Sequence, residues 1–362
     1  MQISINRNIL SNAIDKCVNI AASRSTLPIL SNIRIATNDN VQFSATNLEI
    51  GIKLNVNAEI TESGSITIPA KKFHEITKAL NSDDDVILKT IPSDRVQITH
   101  AKAKFTIVGL PDDDFPTMAD IPEGAFTINA GVLKGLFSHS VYAASIEATR
   151  PFLNGVFLEA QNGQITAVGT DGKRLALSSA DCEASINGQI IPIFTVTAVM
   201  RTFSDDTELK IALVDSDHQM IFADGKTSLI TRLIDGDYAD YKSVIAPVAK
   251  NENVLTADIT KLRDAVKRIS LVSHPKAPSV HLKITQDVLN LKSSTPELGE
   301  ATEDLNCTYN GEPLTIAISS IFLLDVLNRI QSDTVSIQIH DPLSPVFIKD
   351  AGNQSVIMPM RL

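Results

Sequence analysis

Three short stretches of this sequence carry residue types that could do chemistry. Asp112-Asp113-Asp114 sets three carboxylates in a row, the oxygen-rich set a hard divalent cation takes. Pro111 and Pro116 bracket it, and that composition describes a solvated turn better than a metal cradle. Ser138-His139-Ser140 puts an imidazole beside two hydroxyls, as nucleophilic catalysis would need. Consecutive residues of a helix point apart, though, and no Asp stands by to orient the ring. Gly169-Thr170-Asp171-Gly172 has the glycines of a phosphate loop without the Lys-Ser/Thr that should follow, and reads as a turn between strands. The seven histidines are scattered with no ligand spacing. No catalytic constellation emerges, so the chain is expected to be no enzyme and to carry no metal and no cofactor.

At 362 residues the chain is too long for one ordinary core, and two to three domains are expected. A composition 43% hydrophobic and 20% charged is that of a globular protein. No apolar run is long enough to span a bilayer, and Met1-Gln2-Ile3-Ser4-Ile5-Asn6-Arg7 has no leader character. Cys17, Cys182 and Cys307 are odd in number and far apart, which suits reduced thiols in the cytoplasm.

Two segment types each occur three times. In one, a β-run leads into a helix: 66–69 into 70–80, 190–193 into 195–204, and 314–318 into 319–331. In the other, upstream of each of these, a short strand leads into a helix and an exposed loop: 3–5 with 7–22, 126–128 with 129–145, and 254–256 with 258–273. Alternating strands such as 33–35 and 41–43 lie between the two helices of each copy and read as antiparallel meanders. The expectation is an α+β fold repeated three times, two helices against antiparallel sheets, over 1–122, 123–249 and 250–362.

Net charge is −10, which alone argues against a phosphate-binding surface. Its distribution argues otherwise. The six expected helices hold twelve Lys and Arg against five Asp and Glu, a surplus of seven positives, so the rest of the chain stands at −17. Basic helices on an acidic body suit a shared surface that faces a polyanion. Six helices per chain make twelve in a head-to-tail dimer, and at about 9–10 Å between axes they would circle roughly 115 Å, or about 37 Å across. Subtracting a helix thickness of about 10 Å leaves a bore of roughly 27 Å, wide enough for a hydrated duplex.

The seam of such a dimer is suggested by charge. Lys71, Lys72, Arg95, Lys102 and Lys104 cluster around a strand whose Phe105 and Ile107 face one way. Glu297, Glu300, Glu303 and Asp304 form an acidic run, to which Leu271 and Val272 would add apolar contact. A two-fold dimer pairing first and third domains would bring the two edges together.

Thr26-Leu27-Pro28-Ile29-Leu30, Ile68-Pro69-Ala70-Lys71-Lys72-Phe73, Asp114-Phe115-Pro116, Leu153-Asn154-Gly155-Val156, Thr170-Asp171-Gly172-Lys173-Arg174-Leu175-Ala176 and Met358-Pro359-Met360-Arg361-Leu362 occur in this order along the whole chain. In that ordered set the sequence resembles the bacterial DNA polymerase III beta subunit. The resemblance implies a dimeric ring of three clamp-type domains, placed around duplex DNA by an ATP-driven clamp loader and read without sequence preference. It implies docking of the replicative polymerase and other polymerases or repair proteins through Gln-Leu-x-Leu-Phe-like motifs. The matching pocket positions are Leu153, Thr170, Gly172, Lys173, Arg174, Leu175, Val244, Phe322, Leu343, Val356, Met358, Pro359 and Met360. Aliphatic and Met side chains suit such an adaptable apolar groove. Departures from the family pattern are Lys173 for a common His, Ala239 for Pro, Ser243 for Arg and Phe322 for Tyr.

For DNA, Arg24 and Lys71 match basic family positions and Arg150 lies in the equivalent loop of the second domain. Glu147, Pro151 and Phe152 stand where other members carry contact side chains, and Glu147 would repel phosphate. The rival class is a protein-interaction scaffold that binds no DNA. Basic helices and Arg24 argue against it, and retention on circular DNA discriminates.

Overall fold

The computed structural model describes every residue except 38, 82, 215–217 and 362, so Leu362 of the terminal motif lies outside the described residues. Among those described, seven α-helices occur: α1 (Arg7–Val18), α2 (Ala70–Ala79), α3 (Ala130–Ser140), α4 (Ile193–Thr202), α5 (Tyr241–Val248), α6 (Ile259–Ile269) and α7 (Ser320–Leu327). Six of them are the expected ones, each shorter at its C-terminal end. After α3 and α6 the chain tightens into the 3-10 turns Val141–Ala143 and Ser270–Val272, and Ala144 and Ser273 then turn extended. The seventh, α5, was not expected. Pro247 sits inside it and reads as a breaker, although Tyr241, Val244, Ile245 and Val248 share one helical face.

The chain folds as two compact units, Met1–Gly131 with Thr197–Leu233, and Val132–Val196 with Ile234–Leu362. In the first, a five-stranded antiparallel sheet runs in the order Glu59–Glu62, Gln2–Asn6, Asp85–Ile91, Arg95–His100, Ala103–Val108. An eight-stranded sheet crosses the expected repeat limit, because Thr227–Arg232 pairs with Ile50–Val56. α1 turns Leu10, Ala13, Ile14 and Cys17 into the core at helical spacing, and the Asn6 side chain caps it by accepting from the Asn8 N–H. α2 lies beside α1, and Asp15 accepts from His74 and Lys78 of α2, each at 2.8 Å. Buried Cys17 is kept as a thiol, its ionisation pushed far up by burial.

The second unit is built on one twelve-stranded antiparallel sheet, and it too joins successive repeats: Arg174–Asp181 pairs with Asn353–Ile357. α6 buries Ile259, Leu262, Ala265, Val266 and Ile269 against it, with the Asp258 carboxylate accepting from the Lys261 N–H at 2.8 Å. α7 buries Leu323, Val326 and Leu327 in the same core. α5 covers the sheet's other side through Tyr241, which packs with Val168, Leu175, Leu177, Phe347 and Val356.

Candidate functional site

The second unit carries a groove of about 580 Å³ walled by several short pieces of chain. The turn between Gln164–Thr170 and Arg174–Asp181 supplies Thr170, Gly172, Lys173, Arg174 and Leu175. The 3-10 turn Pro151–Leu153 adds Phe152 and Leu153, α5 adds Tyr241, Val244, Pro247 and Val248, and Val356 of the last strand and Met358 just after it add to the apolar lining. Val244 and Met358 are about two-fifths exposed, so apolar surface stands open to solvent there.

The turn is rigid by its own hydrogen bonds. The Asp171 carboxylate accepts from the N–H groups of Lys173 and Arg174 at 2.8 and 3.0 Å. The Thr170 hydroxyl donates to the Arg174 carbonyl at 2.6 Å and accepts from the Gly172 N–H at 3.1 Å. Gly172 has φ of +84°, a left-handed conformation that glycine adopts without strain. The Met358 N–H donates to the Lys173 carbonyl at 2.9 Å and fixes the chain end along the groove. Opposite, the Tyr241 hydroxyl donates to Glu159, and Lys242 pairs with the same carboxylate at 2.8 Å. Burial works to raise the Glu159 carboxyl, but these two donors outweigh it and hold it below the usual range. Burial, with Glu159 adding to it at Tyr241, pushes the Tyr238 and Tyr241 phenols well up, so both stay neutral. An open apolar slot with a few fixed polar groups has the character of a ligand-binding groove.

None of the chemistry-bearing stretches forms a catalytic arrangement. Asp112 is engaged by Arg34 at 2.7 Å and Ser65 at 2.6 Å. His139 bonds the carbonyls of Gly135 and Arg329, and Ser140 donates to the Leu136 carbonyl. Among the described residues no cluster of His, Cys, Asp or Glu is placed to hold a metal.

The DNA polymerase III beta subunit domain models match in order along the chain: N-terminal domain at 1–119, central domain at 127–240, C-terminal domain at 244–361. The beta sliding clamp of Chlamydia pneumoniae is 33% identical over 370 residues, covering 100% of this chain and 99% of the relative. That of Caulobacter vibrioides is 32% identical over 375 residues, covering all of both. The chain belongs to this family. The crystal structure of the Pseudomonas aeruginosa sliding clamp superposes with a TM-score of 0.94 at 28% identity, over 100% of both chains. Beta sliding clamps are accessory subunits of a polymerase and not catalysts, and DNA clamping in replication is this chain's function.

Of the clamp positions expected to take partner peptides, Leu153, Thr170, Gly172, Lys173, Arg174, Leu175, Val244, Val356 and Met358 line the groove together. Phe322 does not: it lies under Arg174, whose guanidinium carbon is 4.4 Å from the ring centre. Leu343 is 78% exposed in a loop outside the groove lining, where Asp341 accepts from its N–H. Pro359 and Met360 also stand outside the lining, and the Met360 N–H donates to Ala317 at 2.7 Å. Sequence reasoning missed Tyr241, Pro247 and Val248, all on α5; an Asp before an apolar i, i+3, i+4, i+7 face was the signal for Tyr241 and Val248.

Arg24 is exposed in the loop after α1, and Lys71 is exposed on α2. Arg150 is placed at the groove instead of standing free: it donates to the Asp171 carbonyl at 3.2 Å and pairs with Glu147 at 3.5 Å. Several helix cations serve the fold. Arg263 donates to the Leu327 carbonyl, Arg329 to Ser138 and Asp325 carbonyls, and Arg268 pairs with Glu303. At the expected seam, Lys72 pairs with Glu75, Glu300 with Lys292 at 2.8 Å, and Asp304 accepts from Asn290. Phe105 is half-buried and Ile107 buried, Val272 gives its carbonyl to Thr295, and Leu271 is 78% exposed.

Proposed function

We propose that the chain acts as a head-to-tail homodimeric ring in the cytoplasm, closed around duplex DNA that it holds without reading sequence. Two unfinished strand edges carry the proposal. Among the described residues Ala103–Val108 pairs on one side only, with Arg95–His100, and leaves Lys104 and two-thirds-exposed Val108 at the border of its sheet. Among the described residues Gly299–Tyr309 pairs along 299–306 with Val288–Thr295 but meets its other neighbour only at 307–309, so Glu300 and Asp304 lie on an open stretch. Open edges are usually blunted or covered, and two of opposite charge complete each other when subunits join. Exposed Leu271 then becomes interface core. Arg24 and Lys71 serve as the phosphate contacts, and a clamp loader opens and places the ring.

The groove is the docking point for short motifs of the replicative polymerase and of other polymerases or repair proteins. Its apolar walls suit Leu and Phe anchors. The seam is tested with Leu271→Asp. The side chain touches little within the chain, so the variant folds normally, yet it should sediment at the 39.1 kDa protomer mass where wild type runs at twice that. A wild-type monomer at micromolar concentration would defeat the ring.

A further inference from the structure

The groove's central turn occurs twice in the molecule, and the second copy is an internal control. In the first unit the Thr46 hydroxyl donates to the Ile50 carbonyl at 2.9 Å and accepts from the Leu48 N–H at 3.0 Å. The Asn47 side chain accepts from the N–H groups of Glu49 and Ile50, and the Arg232 N–H donates to the Glu49 carbonyl at 2.8 Å. These bonds match, one for one, those of Thr170, Asp171, Gly172, Lys173, Arg174 and Met358. Leu48 even takes a φ of +76° where Gly172 has +84°. Ile50 stands in the place of Arg174, so this turn folds without an arginine. The cavity beside it is only about 100 Å³, and the Met118 sulfur fills the space over Gly51.

The turn therefore does not require the Arg174 side chain. Its Nε donates to Asp171 at 3.1 Å, one terminal nitrogen donates to the Asp325 carboxylate of α7 at 2.5 Å, and its plane lies over Phe322. The side chain is 13% exposed, too buried to act as a free surface charge. The Asp325 carbonyl also accepts from Arg329, whose guanidinium lies 4.0 Å from the Tyr142 ring centre. The Tyr142 hydroxyl bonds Ser355 at 3.0 Å, next to groove residue Val356. Two of the groove's walls thus lead to one residue that does not line it, the turn through the Asp325 carboxylate and the final strand, more remotely, through its main-chain carbonyl.

We propose that Asp325 is a positioning residue for peptide capture, acting through Arg174 to hold the groove open. The inference rests on the peptide-docking reading of that groove. Without the carboxylate, Arg174 keeps a single anion and is free to swing over apolar walls meant for Leu and Phe anchors; a guanidinium there must be desolvated or displaced before a peptide seats.

The test uses the full-length chain and a fluorescein-labelled Gln-Leu-Ser-Leu-Phe peptide, followed by fluorescence polarisation and stopped flow. Asp325→Asn should weaken binding roughly tenfold, mainly through faster dissociation. Arg174→Gln should lose a similar amount, and the double variant no more than either single, because both remove one clamp. Asp325→Glu should retain most of the affinity, and dimer mass and thermal midpoint should stay at wild-type values throughout. Wild-type affinity in Asp325→Asn, losses that multiply in the double variant, or losses that follow a falling thermal midpoint would each overturn the proposal. A wild-type chain that ignores the peptide removes the docking reading itself, and Asp325's role with it.

Discussion

Arg24 and Arg174 show how differently two arginines of one chain are used. Arg24 is exposed on a loop, whereas Arg174 is enclosed between Asp171, Asp325 and Phe322. Only the first is disposed to meet phosphate. Arg24→Ala should weaken retention on DNA several-fold and lower the salt dependence of binding by about one phosphate contact. The thermal midpoint should not move, and a fall in stability without a fall in retention would reassign the residue. The family resemblance singled out about half of the residues that line the groove. It could not show that Phe322 lies beneath Arg174, or that Arg150 turns to the Asp171 carbonyl, because both depend on partners far away in sequence.

Elements were legible where one periodicity ruled. The apolar stripes of α1, α3 and α6 announce buried faces, and strand-then-helix order recurs as expected. α5 escaped because Pro247 outweighs its short stripe, and the sheets that run across repeat limits escaped because strand pairing over more than 150 residues leaves no local trace. The segment after Ala103–Val108 is a strap: Asp112 binds Arg34 and Ser65, and Asp120 pairs with Lys53 at 2.5 Å. Burial raises the Asp112 carboxyl, but Ser65 and Arg34 outweigh it, so its folded value lies below the ordinary one. Its contribution is whole above the usual carboxylate pKa of about 3.9 and is lost as pH falls through the depressed value. Asp112→Asn should therefore lower stability at neutral pH, with the difference from wild type vanishing on acid titration; a difference that persisted in acid would deny the strap an ionic basis. The C-terminal stretch is the other element with a single assignment. Deleting Met358–Leu362 removes the bonds to Lys173 and Ala317 and one groove wall. Polymerase stimulation should be abolished while the dimer persists, as read by primer extension and sedimentation, and full stimulation by the truncated chain would misplace the docking site.

At the scale of the whole molecule, composition misleads and distribution informs. A net charge of −10 is compatible with DNA because the excess acid lies outside the helices. Topology then replaces affinity: a closed ring stays on its duplex by enclosure, needing few phosphate contacts and no base contacts. That makes the central claim open to one direct measurement. The protein is loaded by a clamp loader onto a nicked circular duplex, freed of loader and counted on the DNA before and after a single restriction cut. The ring predicts stable retention on the circle and loss within minutes of linearisation, prevented by blocking the ends. Retention that is unchanged after the cut, or loss from the intact circle at the same rate, would contradict enclosure.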